Sequence, residues 1–104
     1  MSKFDEAIQL MMKKRDQVIK KVALFVEGQS KANAPVKTGE LRRRITHATE
    51  TDEKESRARI GTNLEYAAAV EYGTSKMKAQ PYLRPAIEHN LDQIKGIIHK
   101  ELKL

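Results

Sequence analysis

The sequence predicts an α+β fold: a long N-terminal helix, a small antiparallel β-sheet, and a short helix and a C-terminal helix packed on it. Three observations predict it. Apolar residues recur at helical spacing through residues 3–34, two short alternating segments flank the polar stretch "TDEKES", and a second one-face stripe runs from Ile87 to Leu102. A period of 3.6 marks the helices and a period of 2 the strands. At 104 residues the chain is expected to form a single domain, 1–104, because one core fills that length.

In the first segment Phe4, Ile8, Met11, Val18, Val22 and Phe25 follow steps of three, four and seven, and Met12, Ile19 and Val26 widen the stripe. Arg15 interrupts this seam. Asp16 with Lys20, and Glu27 with Lys31, are placed to pair at i,i+4 on the wet side. Pro35 ends the helix by biasing Ala34 away from helical geometry. A helix of about 30 residues is roughly 45 Å long, whereas a compact 100-residue domain has a radius of gyration of only about 13 Å. The helix therefore overhangs its own body or kinks near Gly28.

Thr38 and Gly39 make a turn, with Leu41 as the apolar anchor behind it. "RRITHATE" reads as a strand with Ile45, His47 and Thr49 on one face, and "RARIGT" returns with Ala58, Ile60 and Thr62 inward. Two strands alone are marginal, so they must pack on helices or gain neighbours from another subunit. "TNLE" fits a capping box, Thr62 with Glu65, that opens a short helix through Val70, terminated by Gly73. Pro85 suits the first position of the last helix, whose stripe is Ile87, Leu91, Ile94, Ile98 and Leu102. The expected order is α-β-β-α-α.

Composition narrows the function. Lys and Arg number 20 against 14 Asp and Glu, a formal net charge of +6, so contact with phosphate or an acidic protein surface is plausible. The absence of cysteine excludes disulfides and thiolate metal sites. The first residues lack the apolar core of a secretory signal, and no run approaches the roughly 20 apolar residues that span a bilayer. A soluble protein with no membrane partner is expected. His89 and His99 fall on different helix faces and His47 stands alone on a strand, which is too few converging ligands for zinc. "PVKTGE" resembles a phosphate loop only superficially, since no upstream Gly sets the turn. Glu65 and Glu71 lie on different faces of a short helix, so paired catalytic carboxylates are not expected. No catalytic residue, metal ligand or cofactor site is assigned, and an enzyme is not expected.

The connector "VEYGTSKMKAQPYLRPA", residues 70–86, is the most specific stretch in the chain. Tyr66, Tyr72 and Tyr82, all the tyrosines, fall in or beside it. Scarce rings belong in a core, yet Tyr, Met and Arg are also the types enriched where proteins meet. Both hold if rings point inward and the tip, with Met77 and Lys78, points outward.

The long helix, followed by "ANAPVKTGELRRRI" and then "IGTNLEYAAAVEYGTSKMKAQPYLRPAIE", closely resembles the head–tail connector or tail-completion proteins of long-tailed phages, whose type member is the tenth gene product of a lambda-like coliphage. The family pattern is an "APVDTGxLRRSI"-like element followed by "YAxYVEYGTxxMxAQPFLRPA". The match covers Ala34–Ile45 and Gly61–Ala86, with Lys37 for the usual acid, Arg44 where Ser is common and Tyr82 for Phe. The resemblance implies a virion structural protein of a phage or prophage, made in the host bacterial cytoplasm and located at the head–tail junction. It implies a ring of about six copies, because heterologous contacts repeated round an axis close. Portal-connector and tail-tube proteins would be its neighbours.

On that resemblance the subunit or partner interface comprises Thr38, Gly39, Leu41, Arg42 and Arg43 from the turn. From the connector it takes Tyr72, Gly73, Thr74, Met77, Gln80, Pro81, Tyr82 and Arg84. Arg42, Arg43 and Arg44 face a subunit partner or DNA in the lumen. The alternative is a small basic nucleic-acid-binding protein, although the chain lacks a base-reading helix and aromatics interleaved with basic strand residues.

Overall fold

The computed structural model describes residues 2–35 and 39–102. Helix α1 spans Lys3–Asn33. Ser2 caps its start: the Ser2 hydroxyl accepts from the Asp5 amide at 3.1 Å, and the Asp5 carboxylate accepts from the Ser2 amide at 3.4 Å. The two exchange otherwise orphaned donors of the first turn. Pro35 leaves Ala34 extended, at φ −65° and ψ 138°, which stops the helix. The helix runs through Gly28 without a break, so the overhang is realised and the kink is not. The molecule measures 60 × 25 × 22 Å, with a radius of gyration of 16.8 Å, well above the ~13 Å of a compact chain this long.

Beyond α1 come α2 (Glu40–Arg44), β1 (Thr46–Thr51), β2 (Ser56–Gly61), α3 (Ala67–Tyr72), α4 (Arg84–Glu88) and α5 (Leu91–Leu102). The strands form a two-stranded antiparallel sheet with Thr46 opposite Gly61 and Thr51 opposite Ser56. Ala58 and Ile60 lie on its sheltered face, as their alternation predicts, and the sheet, α4 and α5 all pack on α1. The predicted i,i+4 pairs form on α1, Asp16 with Lys20 at 2.8 Å and Glu27 with Lys31 at 3.8 Å.

Two apolar clusters make the core. Val18, Val22 and Val26 pack with Ala86, covered by Phe25, Ile94, Ile97, Ile98 and Leu102. At the far end of α1, Ala34, Leu41, Ile45, Ala67 and Tyr82 form the second cluster. Ile60 touches both and joins them.

Three expectations are corrected. Arg43 and Arg44 belong to helix α2 and not to the first strand, which begins at Thr46. Leu41 and Ile45, four residues apart, both bury their side chains, and one helical turn is the geometry that points them the same way. The capping box at "TNLE" does not form. The Thr62 hydroxyl instead accepts from the Leu64 amide at 3.3 Å, closing a local turn, and α3 starts at Ala67 with no side-chain cap. The last helix is two helices, because the Asn90 side chain donates to the Ala86 carbonyl at 3.0 Å where the chain turns between α4 and α5.

Candidate assembly interface

Arg15, the residue that interrupts the seam of α1, fixes one end of the molecule. Its guanidinium donates to the carbonyls of Asp52 and Glu53 at 2.8 and 3.2 Å and to the Ser56 hydroxyl at 3.2 Å, pinning the β1–β2 turn to the helix. The turn is closed by Asp52, whose carboxylate accepts from the Lys54 and Glu55 amides, both at 2.8 Å. The Glu55 amide, then the Lys54 amide, hold the Asp52 carboxyl below the usual aspartate range. On the other flank of α1, Lys21 meets Glu101 near the end of α5 at 2.7 Å. Both covering layers thus finish near Arg15, and the helix continues alone toward Lys3. Phe4 and Met11, on the face that Val18 and Val22 bury farther along, are 74% and 63% exposed.

The other end is built on the connector. Gly73 stops α3 at φ 77° and ψ 174°, a conformation essentially confined to glycine, and a Cβ there would lie 2.8 Å from the Ala79 nitrogen. Beyond it the Thr74 amide donates to the Met77 carbonyl at 2.8 Å and the Gln80 amide to the Val70 carbonyl at 2.8 Å, folding the loop back on α3. The loop is anchored by Glu71, 7% exposed. Its carboxylate accepts from the amides of Tyr82 at 3.0 Å, Leu83 at 2.8 Å and Arg84 at 3.2 Å. Those amides open α4, so a carboxylate from α3 occupies the donor-rich end of the next helix. Sequence reasoning missed this role.

The residues expected at an interface divide between two positions. Leu41 and Tyr82 are buried in the chain's own core, and the Tyr82 hydroxyl donates to the Ala67 carbonyl at 3.4 Å. Burial, then the nearby Glu71 carboxylate, push the Tyr82 phenol pKa up. Arg42 donates to the Lys31 carbonyl at 2.9 Å, satisfying an acceptor in the last turn of α1. Gly39 sits at φ 72° with the Arg43 guanidinium over it. Tyr72, Thr74, Met77, Gln80, Pro81 and Arg84 are exposed, as are Arg43 and Arg44, the latter 3.9 Å from Glu40. Thr38, and Lys37 before it, lie outside the described residues. Between α2, α3 and the connector runs an apolar groove of about 410 Å³, lined by Pro35, Leu41, Tyr66, Val70, Met77 and Gln80.

His47 is not isolated: its Nδ1 lies 3.2 Å from the Glu27 carboxylate. Among the described residues no three His, Cys, Asp or Glu side chains converge as metal ligands, and no helix is long and apolar enough to cross a membrane.

A family model described as "Bacteriophage HK97-gp10, putative tail-component" matches residues 1–73, from α1 through the hairpin and α3 to the glycine that ends it. Comparison with curated proteins and with solved structures finds no match. The resemblance carried by "ANAPVKTGELRRRI" and "YAAAVEYGT" therefore has an independent counterpart over most of the chain, and the protein belongs to the HK97 gp10-like family of phage tail components.

Proposed function

We propose that this chain joins head to tail in the virion of a phage or prophage, assembling as a ring of about six copies between the portal-connector and the tail. The whole chain acts as one head–tail connector-like domain, made in the host bacterial cytoplasm before it enters the particle. The exposed part of the connector, Tyr72, Thr74, Met77, Gln80, Pro81 and Arg84, forms one side of a subunit contact. Gly73 and Pro81 hold that loop in shape, so less freedom is lost when it docks.

One observation carries the reading: a member of a phage tail-component family leaves the apolar face of its longest helix uncovered over its first three turns. Contiguous apolar surface of this kind marks a contact with another protein. Size exclusion with light scattering tests it on the protein alone and mixed with its cognate connector and tail-tube proteins. A species heavier than the monomer, alone or with those partners, is expected. A monomer that binds neither partner at micromolar concentration overturns the proposal.

The second reading, binding to nucleic acid, is favoured by the exposed Arg43 and Arg44 in a chain of net charge +6. Sequence-preferring duplex binding that survives above about 200 mM salt would support it, whereas binding erased by salt reports only phosphate attraction. In the ring, that attraction suits a lumen through which DNA passes.

A further inference from the structure

The overhanging part of α1 and the groove beneath Met77 lie at opposite ends of a 60 Å molecule, and each is an apolar surface without a partner in its own chain. We propose that they are partners of each other in two copies: residues 3–14 of one chain dock in the Pro35–Met77 groove of the next. This inference rests on the ring reading for its setting and names the contact that would build it.

Charge decides who occupies the groove. Beside the overhang sits the hairpin turn, where residues 50–57 carry four carboxylates, Glu50, Asp52, Glu53 and Glu55, against Lys54 and Arg57. Beside the groove, residues 40–44 and 73–84 carry Arg42, Arg43, Arg44, Lys76, Lys78 and Arg84 against Glu40 alone. A head-to-tail contact sets the acidic turn of one copy near the basic rim of the next. The symmetric alternatives bring two acidic turns together, or two basic rims, and like charges at an interface are unfavourable. A second copy in head-to-tail order thus satisfies both the apolar and the charged surfaces. Repeated round an axis, the contact closes or continues, as heterologous contacts do.

The capping box supports the same conclusion. Ser2 and Asp5 secure the first turn of a segment that packs on nothing within its own chain. A capped start resists fraying, which keeps the docking surface formed before the partner arrives.

Size sets the strength. Residues 3–14 make a helix about 18 Å long, and half of a cylinder about 10 Å across and that long is roughly 300 Å². A standard interface hides about 800 Å² on each side. The charged rims must therefore contribute, and the contact between two free copies is weak.

A weak contact calls for covalent capture. The chain has no cysteine, so Met11→Cys and Met77→Cys each introduce a single thiol at an exposed position. The two variants, shown by circular dichroism to keep the wild-type helix content, are mixed in equal amounts and oxidised with copper phenanthroline. Disulfide-linked dimer is expected at about tenfold the yield of either variant alone, because the bond closes only when the Cβ atoms come within about 4 Å. The chain carrying both substitutions should give a ladder of higher oligomers, and Phe4→Cys should replace Met11→Cys with the same result.

Dimer formed equally well by Met11→Cys alone would make the contact symmetric and overturn the proposal. Oligomers seen by light scattering with no linkage in the mixture would also overturn it while leaving the ring standing. No linkage, with only monomer even beside connector and tail-tube proteins, would overturn both.

Discussion

Glu71 shows how one side chain fixes the connector. Its carboxylate is buried and takes three backbone donors from Tyr82, Leu83 and Arg84. Glu71→Gln keeps the shape but replaces one acceptor oxygen by a donor group, leaving amides near it unpaired. Hydrogen bonds to a charged group contribute about 1.5–3 kcal/mol each, so a loss of at least about 1.5 kcal/mol is expected, read as a lower midpoint in urea unfolding. An unchanged midpoint would mean the three amides find other acceptors. This role was not legible in the sequence, because its partners are backbone groups that every residue carries. The turn at Asp52 is different, since its chemistry is local. The Glu55 and Lys54 amides lower its folded pKa below the unfolded one. The associated stability is therefore in force above the unfolded value and is lost as the pH falls through the folded one. Below about pH 4 the turn is expected to loosen. Amide shifts of Lys54 and Glu55 should titrate together there, and Asp52→Asn should abolish that titration while keeping an acceptor oxygen.

Legibility at the scale of the element follows how many residues speak for it. Helix α1 was plain because its stripe repeats over many turns and Pro35 marks its end. Helix α2 was not, because a single i,i+4 pair, Leu41 and Ile45, had to compete with the alternation of Ile45, His47 and Thr49, which extends the strand pattern upstream. The break between α4 and α5 was hidden for the opposite reason: Ile87, Leu91, Ile94, Ile98 and Leu102 stay in helical register across it, while Asn90 turns the chain by its amide bond to Ala86. The connector divided likewise. Its Tyr and Met pointed to a contact surface, but only packing could send Tyr82 inward and leave Tyr72 70% exposed. The glycines make these element-level differences measurable. A Cβ at Gly28 would meet nothing within 4 Å, so Gly28→Ala is expected to stabilise α1 by about 0.5–1 kcal/mol. Gly73→Ala must hold φ near 77° against the Ala79 backbone and is expected to cost about 1–3 kcal/mol. Thermal unfolding of the two variants should move in opposite directions, and movement the same way would refute the connector geometry.

For the whole molecule, one stripe on α1 serves two purposes, divided near Arg15. Phe4, Met11 and Val18 succeed one another at intervals of seven, a drift of only about 20° per step, and Val22 follows on the same face. Chemistry and helix face are shared, and what differs is cover. Val18 and Val22 lie beneath α4 and α5, whereas Phe4 and Met11 lie beyond the last residue of either layer. If the hydrophobic effect acts through area removed from water, identical losses of apolar surface must have unequal consequences along this helix. Val18→Ala and Val22→Ala each remove buried methyl groups and are expected to cost about 1–3 kcal/mol. Phe4→Gln with Met11→Gln removes more apolar surface, but surface already in water, so its effect on monomer stability should stay within about 0.5 kcal/mol. Dilute equilibrium unfolding in urea compares them, and light scattering at high concentration follows assembly on the same samples. The valine variants should lower the unfolding midpoint, while the double glutamine variant should keep it and lose self-association. If the glutamines instead lower the midpoint as far as the alanines do, the first three turns of α1 are buried in the monomer, and the division at Arg15 is refuted.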